Sequence, residues 1–214
     1  MKQDEAVIVN QILVLSVDQL PLMREGIATV INAQPDMQVV AHASSAHEAI
    51  RRFREHRPDV TLMDLSLPDM DGIDAMIAIR KEFPKARIVV FTTVEGDIEI
   101  RRALEAGARS YMLKSTQPND LAETIRQVNA GKKSVPSEVA CRIAEHLSED
   151  PLTEREVEVL TFAMSGNRNR DIADRLVISE ETVKAHMKHI LEKLGASDRT
   201  QAVTIAARRG IIHL

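Results

Sequence analysis

Polar and charged side chains end four separate β-rich runs in the first 114 residues of the chain. Asp18, Asp64 and Lys114 each come directly after such a run, and Thr92 and Thr93 end another. Carboxylate oxygens suit Mg²⁺, which is usually bound by one or two carboxylates together with a phosphate. A lysine and a hydroxyl beside the ion would neutralise and hydrogen-bond phosphoryl oxygens. These residue types therefore predict phosphoryl transfer onto a carboxylate, with Asp64 as the nucleophile.

The four positions meet only if the runs before them are strands of one parallel sheet. Helical patterns separate the predicted strands, which lie at 12–17, 37–43, 59–63, 87–91 and 110–113. Repeated β-then-α units imply a parallel sheet covered by helices on both faces, because parallel strands need crossover connections. In a doubly wound sheet, ligands bind beyond the carboxyl ends of the strands. We therefore predict a five-stranded doubly wound α/β domain with its site at that edge.

The last third of the chain has a different pattern, in which helices replace strands. Thr153 and Glu156 have the spacing of a capping box, and four short helical segments follow, with a tight turn at 177–179 between the second and third. This pattern predicts a small all-α helix-turn-helix domain. The predicted division is a first domain at 1–130, a linker with its own short helix at 131–150, and the helical domain at 151–214.

The third helix of that domain has an apolar stripe and a basic face. Lys184 and Lys188 lie one turn apart with the small Ala185 between them, so this face can approach the major groove of double-stranded DNA closely. Thr182, at the start of the helix, can meet a phosphate with help from the helix dipole. The stripe that should face the domain core consists of Val183, Met187, Ile190 and Leu194.

Composition and charge exclude several classes of protein. No apolar run approaches the roughly 18 residues of a membrane-spanning helix. The single cysteine, Cys141, excludes an internal disulfide and a zinc site built on several cysteines. We expect a cytoplasmic protein with no membrane partner. Residues 1–150 carry a net charge of −5 and residues 151–214 only +1, so one copy should bind DNA weakly and a homodimer on two half-sites is expected.

Several segments resemble a known family. The segments at 14–26 (VLSVDQLPLMREG), 60–72 (VTLMDLSLPDMDG) and 107–115 (GARSYMLKS) resemble the receiver domain of bacterial response regulators. The segment at 169–195 (NRDIADRLVISEETVKAHMKHILEKLG) resembles the LuxR-type helix-turn-helix. The combination is similar to the NarL/FixJ family and covers nearly the whole chain beyond the first ten residues. It implies a flavodoxin-like receiver, a sensor histidine kinase that phosphorylates Asp64, and sequence-specific control of transcription.

The resemblance also implies roles for individual residues. Mg²⁺ would be held by Asp18, Asp64 and the backbone carbonyl of Ser66. The residues that switch or contact the phosphoryl group would be Thr92, Tyr111 and Lys114. The DNA contacts would be Thr182, Val183, Lys184, Ala185 and Lys188, with Lys184, Ala185 and Lys188 at the bases.

Two neighbouring positions depart from the family pattern: Leu20 stands where a histidine often follows, and Gln19 bears on the metal. Receivers usually carry two adjacent acids after the first strand, and the second one ligates the metal directly, but here Asp18 is followed by Gln19. Gln19 offers a neutral amide oxygen, so the affinity for Mg²⁺ should fall. A regulator of the same build whose receiver acts without phosphorylation, as a dimerisation or interaction module, is therefore one alternative. A phosphatase-like or dehalogenase-like enzyme is another. The retained Asp64 and the helical tail favour a phosphorylated regulator without substrate turnover.

Overall fold

The computed structural model describes residues 11–146 and 150–212. These residues form two compact units. The first, the sheet unit, comprises the described residues up to Thr93 together with Arg102–Ala140. The second, the helical unit, comprises Val94–Arg101 and the described residues from Cys141.

The sheet unit contains the predicted parallel sheet. Its strands are β1 (Ile12–Val17), β2 (Met37–Ala43), β3 (Val60–Met63), β4 (Ile88–Thr92) and β5 (Ser110–Leu113). All neighbouring strands are parallel, in the order β2-β1-β3-β4-β5. Every residue of β3, β4 and β5 is buried, as expected when helices cover both faces of a parallel sheet. The predicted doubly wound fold is confirmed.

Helices follow the strands in alternation. They are α1 (Pro21–Asn32), α2 (Ala46–His56), α3 (Gly72–Glu82), α4 (Asp97–Glu105) and α5 (Pro118–Asn129). Proline stands at the first position of α1 and α5, where its missing N–H has no helical partner to lose. The Ser45 side chain caps α2 by accepting the Glu48 N–H, so the helix begins at Ala46. The spacing of Ser45 and Glu48 predicts a capping box here, but with the helix at Ala49–His56, three residues shorter.

Apolar side chains from strands and helices fill one face of the sheet. Val14, Leu62 and Val89 on three adjacent strands pack with Ile27 of α1 and Ile125 of α5 in one buried cluster. Truncating one of the larger members to alanine costs about 2–5 kcal/mol in cores of this kind. This rigid layer fixes the strands whose carboxyl ends carry the polar residues.

The C-terminal part is helical, as predicted. Its helices are α6 (Ser137–Glu145), α7 (Glu154–Met164), α8 (Asn169–Leu176), α9 (Glu180–Leu194) and α10 (Arg199–Arg208). The predicted capping box of Thr153 and Glu156 is present at the start of α7. Gly195 ends α9 with a φ of +59°, a conformation that glycine adopts without strain. The sequence pattern of the linker predicts its helix over 137–147, and the predicted end at Leu147 lies outside the described residues.

Nowhere in the described chain is there a helix long and apolar enough to cross a membrane.

Candidate phosphoacceptor site and DNA-recognition helix

Three of the predicted site residues meet at the carboxyl edge of the sheet. The Lys114 Nζ lies 2.6 Å from Asp18 Oδ2 and 2.7 Å from Asp64 Oδ2. Asp18 follows β1, Asp64 follows β3 and Lys114 follows β5, so their contact depends on the strand order of the sheet. At most 6% of each side chain is exposed. The structure thus brings together the residues to which sequence analysis assigned the acidic site.

The charges in this cluster stabilise one another. Burial by itself lowers the pKa of the Lys114 ammonium, but its hydrogen bonds to Asp18 and Asp64 and their negative charges outweigh burial and raise that pKa. Lys114 is therefore a cation at neutral pH. With both carboxylates ionised, the cluster carries a net charge of −1 and can attract a further cation.

The two carboxylates differ in how firmly they are held. Asp18 Oδ1 accepts a 2.8 Å hydrogen bond from the Leu20 N–H, so both of its oxygens have close partners. Asp64 Oδ1 accepts a long hydrogen bond of 3.4 Å from the Ser66 N–H. Since a bond of this length is weak, Asp64 Oδ1 is the oxygen most readily released for a new bond.

The donors around this cluster fit Mg²⁺ with few protein ligands. Asp18 and Asp64 supply hard carboxylate oxygens, and Gln19 is exposed. Within residues 11–146 and 150–212, no three side chains of histidine, cysteine, aspartate or glutamate form a group that could hold a metal. A pair of carboxylates suits Mg²⁺ that keeps several waters and shares a phosphate. These donors fit an ion that takes few of its ligands from the protein.

The two predicted switch residues lie on neighbouring strands. Thr92 ends β4 and Tyr111 lies on β5, and both side chains are fully buried. The Lys114 N–H donates a 2.9 Å hydrogen bond to the Thr92 carbonyl. This bond ties the end of β4 to the residue that contacts both carboxylates. The switching role of Thr92 and Tyr111 stays a prediction.

The loop between β3 and α3 passes very close to Asp64. A Cβ atom at Gly72 would lie 2.1 Å from the Asp64 carbonyl oxygen and 2.7 Å from Leu65 Cα, so only glycine fits. The Gly72 N–H donates a 3.0 Å hydrogen bond to the Leu65 carbonyl. The base of the loop is thereby closed immediately after Asp64.

In the helical unit, α9 presents the predicted basic face. The side chains of Lys184 and Lys188 are 56% and 76% exposed, and Ala185 is also exposed. Thr182 is exposed at the start of the helix, and its hydroxyl lies 2.9 Å from that of Ser179. These four candidate DNA contacts are accessible.

Val183 does not belong with them. Its side chain is 0% exposed and packs in the helical core with Met187 and Ile190. The prediction that Val183 contacts DNA is therefore wrong for its side chain, because the apolar stripe on which it lies faces inwards. Its place is in the domain core.

Acidic neighbours accompany both lysines of the basic face, a feature that the sequence interpretation missed. Lys184 Nζ lies 3.3 Å from Glu180 Oε1, and Lys188 Nζ lies 3.8 Å from Glu192 Oε1. The spacing of four residues on one helix was the signal that could have shown these pairs. Exposed pairs of this kind contribute about 0–1 kcal/mol, so both lysines can exchange partners at low cost.

Polar contacts hold the helices around α9 in place. The Arg155 guanidinium donates a 2.6 Å hydrogen bond to the Leu176 carbonyl at the end of α8. Lys193 Nζ lies 2.7 Å from Glu156 Oε2 and donates to the Pro151 carbonyl. Burial raises the pKa of the Glu156 carboxyl, but hydrogen bonds from Lys193 and Thr153 lower it overall. The first turn of α7 is thereby joined to the last turn of α9.

Comparison with known proteins agrees with this geometry. The family model of the response regulator receiver domain matches residues 14–126, and that of bacterial regulatory proteins of the luxR family matches residues 150–206. The chain is 40% identical over 216 residues to the transcriptional regulatory protein YxjL of Bacillus subtilis, covering 95% of this chain and 99% of that protein. It is 38% identical over 205 residues to the response regulator VraR of Staphylococcus aureus, covering 94% and 98%.

The fold also matches solved structures. A structure of RcsB dimers bound to DNA has a TM-score of 0.72 at 24% identity, covering 93% of this chain and 99% of that one. At this identity the likeness concerns the fold. The two family models and the close relatives show more: the chain belongs to the NarL/FixJ-type response regulators, transcriptional regulators that join a receiver domain to a LuxR-type DNA-binding domain.

Proposed function

We propose that this response regulator accepts a phosphoryl group at Asp64 from a sensor histidine kinase and then binds specific double-stranded DNA sites as a homodimer. The observation that carries the proposal is the contact of Lys114 with both Asp18 and Asp64, at 2.6 and 2.7 Å, beyond the strand ends. A buried acceptor next to a fixed cation is suited to a reaction that brings a phosphate into the site.

The chemical step uses the loosely held oxygen of Asp64. As the bond between Asp64 Oδ1 and phosphorus forms, the phosphorus–nitrogen bond of the phosphohistidine breaks, and its electron pair stays on the imidazole nitrogen, which takes up a proton. Lys114, already within 2.7 Å of Asp64 Oδ2, then pairs with a phosphoryl oxygen. The product is an acyl phosphate on Asp64, so the protein is an acceptor and turns over no substrate of its own.

Mg²⁺ belongs to this proposal as the cofactor of phosphorylation. Asp18, Asp64 and the Ser66 carbonyl would hold it, and when bound it would supply positive charge to the phosphoryl oxygens. The Gln19 amide adds no negative charge that would help to hold Mg²⁺. Lys114 would therefore neutralise a larger share of the phosphoryl charge than in receivers with three acids. Phosphorylation would then depend more strongly on the position of Lys114.

The DNA-binding part of the proposal rests on the exposed face of α9. Lys184, Ala185 and Lys188 would meet bases, and Thr182 a phosphate. The low net charge of residues 151–214 favours two copies on two half-sites. In the solved structure of the same fold, RcsB is bound to DNA as dimers. We propose the same arrangement here, in the cytoplasm.

The proposed division of labour is a receiver at 1–130, a linker at 131–150 and a DNA-binding domain at 151–214. The buried clusters support it, since one core is built from the sheet and its helices and another from α7 to α10. Limited proteolysis should cut first within 131–150. A first cut inside either core would contradict these boundaries.

Intact-mass measurement tests the phosphorylation step. The full chain is incubated with Mg²⁺ and acetyl phosphate, with Asp64→Asn as the matched variant. A stable gain of one phosphoryl group in the wild type and none in Asp64→Asn is the expected result. An unchanged mass would favour a receiver that acts without phosphorylation, and donor turnover without a gain in mass would indicate an enzyme.

A further inference from the structure

A second anchor fixes the loop that follows the acceptor residue. Asp69 lies at the tip of this loop, and its carboxylate contacts the start of α2. Asp69 Oδ1 accepts a 2.8 Å hydrogen bond from the Ala46 N–H, and Oδ2 accepts a 3.0 Å bond from the His47 N–H. The His47 Nδ1 also lies 2.6 Å from Asp69 Oδ2. Asp69 thereby joins the loop to two residues that lie 22 and 23 positions earlier in the chain.

The N-terminus of α2 is chemically suited to this contact. The N–H groups of the first helical turn have no partner inside the helix, and the helix dipole favours an anion there. Burial raises the pKa of the Asp69 carboxyl, but the hydrogen bonds from His47, Ala46 and Ser45 outweigh it and hold that pKa well below its usual range. Asp69 is therefore ionised at neutral pH.

Ser66 lies between the two anchors of the loop. At the base, the Gly72 N–H donates to the Leu65 carbonyl over 3.0 Å, and at the tip Asp69 is held by α2. Ser66 supplies the N–H that contacts Asp64 Oδ1 and the carbonyl proposed to face Mg²⁺. The tip anchor is the more vulnerable one, since it depends on a single side chain that is 27% exposed.

We infer that Asp69 is a positioning residue for phosphorylation: by fixing the loop to the N-terminus of α2, it holds Ser66 and the Asp64 carboxylate in the arrangement that accepts a phosphoryl group. The inference rests on the proposed function of Asp64. It adds α2, which contributes no residue to the acidic cluster, as a support of the site. Partners that orient metal ligands and reacting groups in this way typically change affinity or rate by 10- to 100-fold.

The test compares Asp69→Ala with wild type in the full chain. We expect the initial rate of labelling by acetyl phosphate to fall about tenfold or more and the Mg²⁺ concentration for half-maximal rate to rise. Hydrogen exchange followed by mass spectrometry should be faster for the peptide spanning 64–72. Labelling by Asp69→Ala at the wild-type rate, with wild-type dependence on Mg²⁺, would overturn the inference.

Three further variants separate positioning from general effects. Asp74→Ala removes an exposed carboxylate from α3, matches the change in charge, and should label like wild type. His47→Ala keeps its backbone N–H and should retain most of the rate. Asp69→Asn keeps one carbonyl acceptor for a backbone N–H and should recover part of it; no recovery would count against the hydrogen-bond anchor.

The failure of the inference and that of the proposed function give different results. If the wild type takes up no phosphoryl group, the proposed phosphorylation fails, whatever Asp69 does. Hydrogen exchange then still decides about the anchor, since equal exchange of 64–72 in wild type and Asp69→Ala overturns it. Faster exchange with an unchanged labelling rate also overturns it, because the loop would be held without consequence for the chemistry.

Discussion

The acidic cluster of the sheet unit and the basic face of α9 both pair lysines with carboxylates, but they do so in opposite surroundings. In the cluster, Lys114 is 6% exposed and lies within 2.7 Å of two carboxylates. On α9, Lys184 and Lys188 are more than half exposed, and their carboxylate partners lie 3.3–3.9 Å away. Burial makes the first set of charges interdependent, whereas water screens the second set and leaves it free to exchange partners.

This difference fits the two kinds of work that we propose for these sites. A phosphoacceptor site needs its charges fixed before the phosphate arrives, because preorganised groups stabilise the charge that develops during transfer. A recognition helix needs lysines that can leave one anion for another as DNA displaces counterions. Under the proposed function, the same residue type would serve as a fixed support in one unit and as an exchangeable contact in the other.

The largest effect is expected from Lys114→Met. This change leaves Asp18 and Asp64 buried side by side without their cation, which costs about 3–5 kcal/mol in comparable buried pairs. Urea unfolding in the presence of a chelator measures the loss, and added Mg²⁺ should recover part of it. A loss of less than about 1 kcal/mol in the free energy of unfolding would show that water solvates the cluster. Its charges would then be no more dependent on one another than those of α9.

Replacing Lys184 or Lys188 with alanine should affect binding rather than folding. A lost base contact costs roughly 1–3 kcal/mol of affinity for a specific site. Stability should change by less than about 0.5 kcal/mol, as is usual for exposed positions. Fluorescence anisotropy with a labelled target site measures the first quantity and thermal unfolding the second. Unchanged affinity in both variants would show that this face of α9 does not meet the bases.

The Glu156–Lys193 pair tests whether burial or the unit in which a pair lies determines its strength. It lies in the helical unit, like the lysines of the basic face, but it is largely buried. Lys193→Met should cost about 1–2 kcal/mol, less than Lys114→Met because a quarter of the Lys193 side chain is exposed. The lowered pKa of Glu156 means that its contribution is present above its unfolded pKa of about 4.5 and is lost as the pH falls through the folded value.

Unfolding at pH 7 and at successively lower pH tests this sign. The wild type should lose more stability in acid than Glu156→Gln, which cannot titrate at that position. If both proteins lose the same amount, the Glu156–Lys193 pair adds no stability that depends on pH. The contrast between the two units would then not follow from burial alone.

The sequence predicted the strands well because the pattern that identifies them is local. The runs at 12–17, 37–43 and 110–113 coincide with β1, β2 and β5. The cluster of Asp18, Asp64 and Lys114 also followed, since the end of each strand and the parallel fold together determine which residues meet. The local strand pattern and the parallel sheet that it implies were enough to bring these three residues together.

Contacts between distant parts of the chain could not be predicted in this way, nor could the role of a residue for which two patterns disagree. The anchor of Asp69 on Ala46 and His47 requires the β3–α3 loop to lie against α2, and no spacing in the sequence encodes that proximity. Val183 lies on the apolar stripe of α9 and is also one of the DNA contacts implied by the resemblance. Only its burial in the structure distinguishes these two predictions. For the side chain of Val183, the helical stripe was the correct signal and the DNA contact implied by the family resemblance was wrong; the other DNA contacts stay predictions.

The smallest effect concerns Gln19, the one position where the acidic site departs from its family. Gln19 is exposed, so a carboxylate there would interact with a bound cation through water-like surroundings, where attraction between charges is weak. Without metal, the same charge would add repulsion to Asp18 and Asp64, which Lys114 neutralises only in part. Gln19→Asp should therefore have opposite effects with and without Mg²⁺.

Melting temperatures in chelator and in millimolar Mg²⁺ measure this reversal. Gln19→Asp should melt below wild type in chelator and gain more from Mg²⁺, because the ion screens the added repulsion and takes the new oxygen as a ligand. Gln19→Glu serves as the matched control, with the same charge on a longer side chain that places its oxygens differently. If Gln19→Asp gains no more from Mg²⁺ than wild type, position 19 lies outside the metal site. Equal gains for Gln19→Asp and Gln19→Glu would indicate general attraction of cations rather than ligation, and the buried cluster would then hold the ion with two carboxylates alone.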